Sequence, residues 1–209
     1  MIVMKMTQPG SAACHRAVVI GGSAGGFEAL STILSALSQG FDLPILVVQH
    51  LHPSDDGSFA RHLAFATGRK VVEPCDKEQI ERGKIFVAPA NYHMLVERNF
   101  TIALSVDEKV NWSRPSIDVL FESASRTFGK SLIAVILSGA SADGSKGIRA
   151  INEAGGITIA QDPMSAETPF MPQSAIDTGG VGEVLRLKEI ARRLIRLGDM
   201  PCSCSCTGR

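Results

Sequence analysis

The stretch Gly21-Gly22-Ser23-Ala24-Gly25-Gly26 directly follows the apolar run 17–20 and decides how the chain is interpreted. An apolar run that ends in glycines around a serine, and then continues into an amphipathic segment, predicts a strand, a tight turn and a helix. Residues 21–25 fit the pattern G-x-S-x-G, in which small neighbours leave a serine hydroxyl exposed where a helix begins. Free N–H groups at that helix N-terminus suit either an oxyanion or a phosphate. The motif therefore admits two chemistries, a nucleophilic serine or an anion-binding loop.

Strand-like and helix-like segments alternate along the rest of the chain. Apolar runs rich in Val, Ile and Leu are typical of strands buried on both faces of a parallel sheet, and they lie at 17–20, 44–48, 84–88, 132–137 and 157–160. Amphipathic or cap-flanked segments predict helices at 27–37, 117–124, 143–154 and 187–195, the last with Gly198 as its stop.

Short strand candidates between Val71 and Val106 depart from this alternation and predict a hairpin at one edge of the sheet. The predicted fold class is α/β: a doubly wound, mostly parallel sheet of the flavodoxin or Rossmann type. Helices cover both faces, and a small antiparallel hairpin is added. The expected organisation is an N-terminal extension at 1–15, one domain at 16–198 and a cysteine-rich, disordered tail at 199–209.

Composition excludes several classes of function. Lysine plus arginine and aspartate plus glutamate both number 21, and no basic block appears, so a nucleic-acid partner is not expected. The apolar runs are far shorter than a membrane span, and no signal peptide is apparent, so we expect a cytoplasmic protein without membrane insertion. The five cysteines form no disulfide framework. The spacing at Cys202, Cys204 and Cys206 leaves a metal site open, but a disordered terminus is the favoured interpretation.

Three residues that could carry chemistry follow predicted strands. Ser23, His50 and Asp143 come after the first, second and fourth of the runs given above. In a doubly wound sheet the carboxyl ends of the strands gather functional groups. An imidazole can take the proton of a serine, and a carboxylate can orient the imidazole, so the three residues form a candidate triad. Asp143 could instead be only a helix N-cap, and Ser23 only a small residue in a turn.

A nucleotide site fits the residues less well. Ser23 occupies the second glycine position of a dinucleotide fingerprint, and Gln49 and His50 stand where an acidic residue is expected. No Walker-type lysine follows the loop. Among the other histidines, His52 is predicted in a loop, His62 on an exposed helix face and His93 in a structural position.

The motifs taken together resemble the methylesterase domain of the chemotaxis protein-glutamate methylesterases, the CheB family, from about Ala17 to Leu197. Several separate motifs occur in the family's order, which is more specific than a lone G-x-S-x-G pattern. The matching stretches are residues 18–26, Val47-Val48-Gln49-His50-Leu51, Ile85 to Pro89 with His93-Met94, Arg114 to Phe121, Leu137 to Gly144, and Met171-Pro172 with Ala175-Ile176.

This resemblance implies a serine hydrolase that removes methyl groups from glutamate γ-methyl esters of chemoreceptors, releases methanol and needs no metal or organic cofactor. By matching motif, Ser23 is the nucleophile, His50 the general base and Asp143 the orienting carboxylate. Backbone N–H groups, those of Ala24 and Ala140, are expected to hold the oxyanion. Many family members have threonine at the position of Ala24 and methionine at that of Ala140, so the acyl group that fits is less certain than the triad.

Family members often carry an N-terminal receiver domain, whereas the first predicted strand here begins near Ala17. We therefore expect control by a separate receiver-domain protein or by expression. Besides a methylesterase acting on chemoreceptors or similar signalling proteins, two hypotheses remain open. One is a non-catalytic module that binds such receptors, and the other is an esterase or amidase on another substrate, including glutamine deamidation.

Overall fold

The structure is a computed structural model and describes residues 16–200, in which strands and helices alternate. The strands within this range are β1 (Ala17–Gly22), β2 (Ile45–Gln49), β3 (Val71–Val72), β4 (Ile85–Val87), β5 (His93–Val96), β6 (Ile102–Ser105), β7 (Leu132–Ile136), β8 (Ile157–Gln161) and β9 (Glu183–Leu185). The α-helices of the same range are α1 (Gly26–Ala36), α2 (Ser58–Thr67), α3 (Ile117–Phe128), α4 (Ser145–Glu153), α5 (Phe170–Asp177) and α6 (Leu187–Asp199).

Seven strands form one sheet in the order β3-β4-β2-β1-β7-β8-β9, and every neighbouring pair is parallel. Side chains of α1, α2 and α6 pack on one face, and those of α3, α4 and α5 pack on the other. The predicted doubly wound α/β class is therefore confirmed. The order reverses direction at β1, so the chain has a switch point beside the strand that carries the glycine-rich turn.

The register brings the carboxyl ends of three strands to the same rim. Gly22 of β1 lies opposite Gln49 of β2, and Gly21 lies opposite Ile136 of β7. Ser23, His50 and the loop after β7 consequently leave the sheet beside one another. The strand order thus supplies the first condition for a shared site.

The hairpin region differs in part from the prediction. Only β5 and β6 pair as an antiparallel hairpin, whereas β3 and β4 join the main sheet as parallel strands. The twelve residues between β3 and β4 are long enough for the crossover that a parallel pair requires. The short spacing of the strand candidates favours a hairpin instead. Edge strand β9 was not predicted, since three residues are too few to show alternation.

Gly198 does not stop the last helix, which runs to Asp199. A Cβ added at Gly198 would lie 2.9 Å from the ring of Phe41, so this glycine permits a close approach between α6 and the loop before β2. The predicted extension at 1–15 and the tail with Cys202, Cys204 and Cys206 lie outside the described residues. Within 16–200, no helix is long and apolar enough to cross a membrane.

Candidate active site

His50 and Asp143 meet at the rim of the sheet. His50 follows β2, and its backbone N–H donates to the carbonyl of Gly22 at 3.1 Å, which fixes the imidazole next to the end of β1. Its Nε2 atom lies 2.9 Å from Oδ2 of Asp143. The carboxylate is fully buried, whereas the imidazole side chain keeps 16% of its surface exposed. The structure therefore brings together two of the three predicted residues, with the histidine on the solvent side.

The Asp143 carboxylate accepts an unusually full set of hydrogen bonds. Six further donors lie within hydrogen-bonding distance of its two oxygens, in addition to His50. They are Nδ2 of Asn111 (2.7 Å), Oγ of Ser113 (3.4 Å), Oγ of Ser116 (2.8 Å) and the amides of Ile117 (2.6 Å), Asp118 (3.2 Å) and Gly144 (3.1 Å). With this many donors around it, the carboxylate has one fixed orientation.

Asp143 sits at the N-terminus of α3 rather than serving only as a cap of its own helix. The amides of Ile117 and Asp118 open α3, and both point at this carboxylate. The N-cap residue of α4 is Gly144, and that helix has no side-chain cap. The positive end of the α3 dipole stabilises the ionised form of the carboxylate. The alternative in which Asp143 merely caps α4 therefore does not account for its contacts.

Ser23 lies in the turn between β1 and α1 with its hydroxyl uncommitted. Its amide donates to the carbonyl of Ser138 at 2.9 Å, and its carbonyl accepts from the side chain of Gln49 at 2.6 Å. The Ser23 hydroxyl makes no hydrogen bond to any residue in the described range, and this includes His50. The main chain of Ser23 is thus held from both neighbouring strands while the side chain remains free to turn.

The hydroxyl of Ser138, which follows the neighbouring strand β7, is fully hydrogen-bonded, in contrast to that of Ser23. The Ser138 hydroxyl is buried, donates to the carbonyl of Ala24 at 2.7 Å and accepts from the amide of Thr168 at 2.9 Å. It therefore ties the serine turn to the aspartate loop. A hydroxyl committed in this way is a structural group, unlike the hydroxyl of Ser23, which has no partner in the described range.

Two amides beside Ser23 face the same region. A Cβ added at Gly139 would lie 2.9 Å from Cβ of Ser23, so the aspartate loop touches the serine only because residue 139 is glycine. Ala24 follows Ser23 in the chain, Ala140 follows Gly139, and both alanines are exposed. Neither of their N–H groups donates a hydrogen bond within residues 16–200. Backbone donors without a partner are what an oxyanion site requires, so both amides stay candidates for that role.

The sequence and the architecture agree on one family. Residues 18–194 match the sequence model of the family described as CheB methylesterase. The chain belongs to the CheB methylesterase family. The CheB methylesterase catalytic domain of Thermotoga maritima has the same architecture, with a TM-score of 0.83 and 34% identity over 87% of this chain and 98% of that domain.

Relatives of this CheB-family chain carry names that combine two activities. A Leptospira interrogans protein, provisionally named a protein-glutamate methylesterase/protein-glutamine glutaminase, is 48% identical over 183 residues, which cover 88% of this chain and 95% of the relative. A protein of Geobacter metallireducens with the same pair of activities in its name is 37% identical over 199 residues, 92% of this chain. The match spans 56% of that longer relative.

Electrostatics keep the carboxylate of this CheB-family site ionised. Burial by itself raises the pKa of Asp143, but the hydrogen bonds from His50, Asn111 and the first turn of α3 outweigh it and hold the pKa below its ordinary 3.8. Burial raises the pKa of the neighbouring Asp118, and the charge of Asp143 adds to this effect. The amide of Asn111 donates to both carboxylates, at 2.7 and 2.8 Å, and so separates two like charges.

The lowered pKa of Asp143 predicts a pH-dependent contribution to stability. A carboxyl group with a lower pKa in the folded state stabilises the fold above its unfolded pKa, and this stabilisation is lost as the pH falls through the folded value. The free energy of unfolding of Asp143→Asn is therefore expected to lie well below that of the wild type at pH 7, with the gap narrowing below pH 3.8. Urea denaturation at a series of pH values measures it, with exposed Asp199→Asn as the control. A constant gap from pH 7 to pH 3 would contradict the account.

Sequence reasoning missed two side chains that shape the site. Gln49 is buried beneath the serine turn, and Asn111 comes from a loop 32 residues ahead of Asp143. Among the remaining predicted histidines, His62 is exposed on α2 and His52 lies in a loop. His93 is buried, and its ring nitrogens contact the carbonyl of Glu108 at 3.0 Å and the amide of Ser116 at 3.2 Å, which is a structural arrangement. His15 lies outside the described residues.

Proposed function

We propose that this chain is a protein-glutamate methylesterase that hydrolyses glutamate γ-methyl esters on chemoreceptors or similar signalling proteins and releases methanol. The observation that carries the proposal is the 2.9 Å contact between His50 and Asp143 beside the uncommitted hydroxyl of Ser23. Family membership and the names of the relatives support the substrate class. The exposed free thiol of Cys75 fits a reducing compartment, and we propose action in the cytoplasm.

The hydrogen-bonding pattern assigns the proton of the imidazole in this proposal. An ionised carboxylate only accepts hydrogen bonds, so Nε2 of His50 carries the proton that faces Asp143. In the neutral ring the other nitrogen, Nδ1, is then the basic one. It makes no hydrogen bond to any residue of the described segment. Nδ1 is therefore the atom that takes the proton of Ser23 when the hydroxyl turns toward it.

Attack of the Ser23 oxygen on the ester carbonyl gives a tetrahedral intermediate with a negatively charged oxygen. The amides of Ala24 and Ala140 are the donors that stabilise this charge. The protonated imidazole then donates to the departing methoxide, so that methanol leaves and an acyl-enzyme remains. A water molecule, deprotonated by His50, hydrolyses the acyl-enzyme and frees the glutamate. Asp143 stays ionised throughout and stabilises the imidazolium.

The same residues suit a glutamine side chain, whose carbonyl is attacked in the same way with ammonia as the leaving group. The relatives' names contain this glutaminase activity as well. An amide is the harder substrate, since its nitrogen must be protonated before it leaves. We therefore expect the methyl ester to be hydrolysed faster than the amide at equal concentration.

The direct test measures methanol from a receptor segment carrying glutamate γ-methyl ester, and ammonia from the same segment carrying glutamine. The wild-type chain is expected to release methanol with turnover and ammonia more slowly. Binding of the methylated segment without release of either product would indicate a non-catalytic receptor-binding module. Hydrolysis of simple activated esters with no action on the segment would indicate an esterase for another substrate. Either result would overturn the proposed function.

A further inference from the structure

A cavity of about 290 Å³ opens beside His50, and its other lining residues have no role in the proposed reaction steps. His50 forms part of its wall, and Leu51 and Pro115 supply apolar surface. Two cations, Lys109 and Arg114, also line it, whereas none of its lining residues is acidic. The cavity therefore joins the reacting imidazole to a region of positive charge.

Neither cation has a carboxylate partner in the part of the chain that the structure describes. Lys109 is exposed and forms no ion pair with any described residue. Nη1 of Arg114 donates to the carbonyls of Val106 and Asp107 at 2.5 and 2.8 Å. Its Nε is buried, and neither Nε nor Nη2 donates to a described residue. Asp107 and Glu108 precede Lys109, but neither carboxylate comes within 4.0 Å of these cations. Within residues 16–200, neither cation is therefore held in a direct ion pair, and both can meet a carboxylate of a bound chain.

The loop that carries these cations is fixed to the catalytic carboxylate. Val110 and Ser113 form an isolated antiparallel bridge across it, and Asn111 donates to Asp143 at 2.7 Å. Trp112, which lies between Val110 and Ser113 in this loop, has a φ of 64° and leaves 95% of its surface exposed. An exposed indole on an anchored loop offers an apolar surface to a bound chain. The backbone that carries the cations is therefore anchored beside His50.

We propose that this cavity is a specificity subsite that accepts an acidic side chain flanking the esterified glutamate of the substrate polypeptide. The inference rests on the proposed function, because it names the sequence context that the same site prefers. Lys109 and Nη2 of Arg114 attract the flanking carboxylate, and Trp112 packs against the substrate main chain beside it. Charge complementarity of this kind selects between partners and speeds their encounter.

The test compares three peptides of equal length, each with one glutamate γ-methyl ester, flanked by glutamates, alanines or lysines. The wild type is expected to show its highest kcat/KM for methanol release with the glutamate-flanked peptide, and added salt should reduce this preference. Lys109→Ala is expected to lower the preference for glutamate over alanine flanks about fivefold, mainly through KM. Lys109→Glu should shift the preference to the lysine-flanked peptide.

Lys188→Ala is the matched control, since Lys188 is an exposed lysine on α6 that forms no ion pair with any described residue. Its selectivity should equal that of the wild type, and an unchanged melting temperature of each variant shows that the fold is intact. Methanol release at the same kcat/KM from all three peptides by the wild type would overturn the subsite and leave the methylesterase intact. Absence of methanol from every peptide and from the whole receptor segment would overturn both.

Discussion

Replacing Ser23 with alanine is expected to lower kcat for methanol release by about 10⁴-fold or more. Alanine removes a hydroxyl that makes no hydrogen bond to any described residue and is therefore not needed to hold the rim together. Because the main chain of Ser23 is held by Ser138 and Gln49, the turn should keep its shape in the variant. The loss should therefore appear in kcat, with binding of the receptor segment retained.

Ser141→Ala provides the control for this variant. Ser141 lies in the loop that leads to Asp143. Within residues 16–200, its hydroxyl makes one hydrogen bond, which it accepts from the Asp143 amide at 3.3 Å. Its loss is expected to change kcat less than about tenfold, in line with one weak hydrogen bond. Equal methanol release by the wild type and Ser23→Ala would remove Ser23 from the mechanism, whatever the Ser141 control shows.

Replacing Asp143 with asparagine is expected to lower kcat by about 10³- to 10⁴-fold while preserving the size of the side chain. Both oxygens of Asp143 accept hydrogen bonds. The NH₂ group of an asparagine would therefore face hydrogen-bond donors in either of its two orientations. If the amide faces His50, the ring must present an unprotonated Nε2 and carry its proton on Nδ1. The nitrogen that should accept the proton of Ser23 is then already protonated.

Asp118→Asn tests whether this effect belongs to Asp143 or to any buried carboxylate in the network. Asp118 also accepts from Asn111, at 2.8 Å, but it makes no contact with His50. We expect kcat of Asp118→Asn to stay within about tenfold of the wild type. Nitrogen NMR of the imidazole should show the Nε2–H tautomer in the wild type and in Asp118→Asn, and its loss in Asp143→Asn. An active Asp143→Asn enzyme would contradict the proposed role of the carboxylate.

The position of Ser23, His50 and Asp143 after three adjacent strands could be predicted from the sequence, because it depends only on where the strands end. Runs of Val, Ile and Leu located β1, β2 and β7, and parallel strands place their carboxyl ends at one rim. Ser23, His50 and Asp143 each follow one of these strands closely. Local patterns and one general rule of sheet topology therefore suffice to bring them together.

The surroundings of Asp143 could not be predicted in the same way. Asn111 reaches the carboxylate from an irregular loop, and α3 points its first amides at a residue 26 positions away. Neither contact leaves a periodic signal in the sequence, since both depend on how α3 packs against the sheet. The parallel pairing of β3 and β4 was not predicted for a similar reason. The sequence pattern of a short strand is the same whether the strand pairs in a hairpin or through a crossover connection.

The side chains at Ala24 and Ala140 are small where many CheB-family members have bulkier ones. The proposed oxyanion donors are backbone N–H groups, which alanine supplies as well as any other residue. The small side chains therefore leave the proposed chemistry unchanged. Both residues are exposed, so their methyl groups face solvent.

The central claim is that the hydroxyl of Ser23 is activated by the His50–Asp143 pair, and a fluorophosphonate probe tests it most directly. Such a probe reacts quickly only with a serine whose proton can be removed. Mass spectrometry of the labelled, digested protein is expected to find one adduct, on Ser23, formed far more slowly in Asp143→Asn. An adduct on Ser138 or Ser141, or rapid labelling of Ser23 that does not change in Asp143→Asn, would contradict the account.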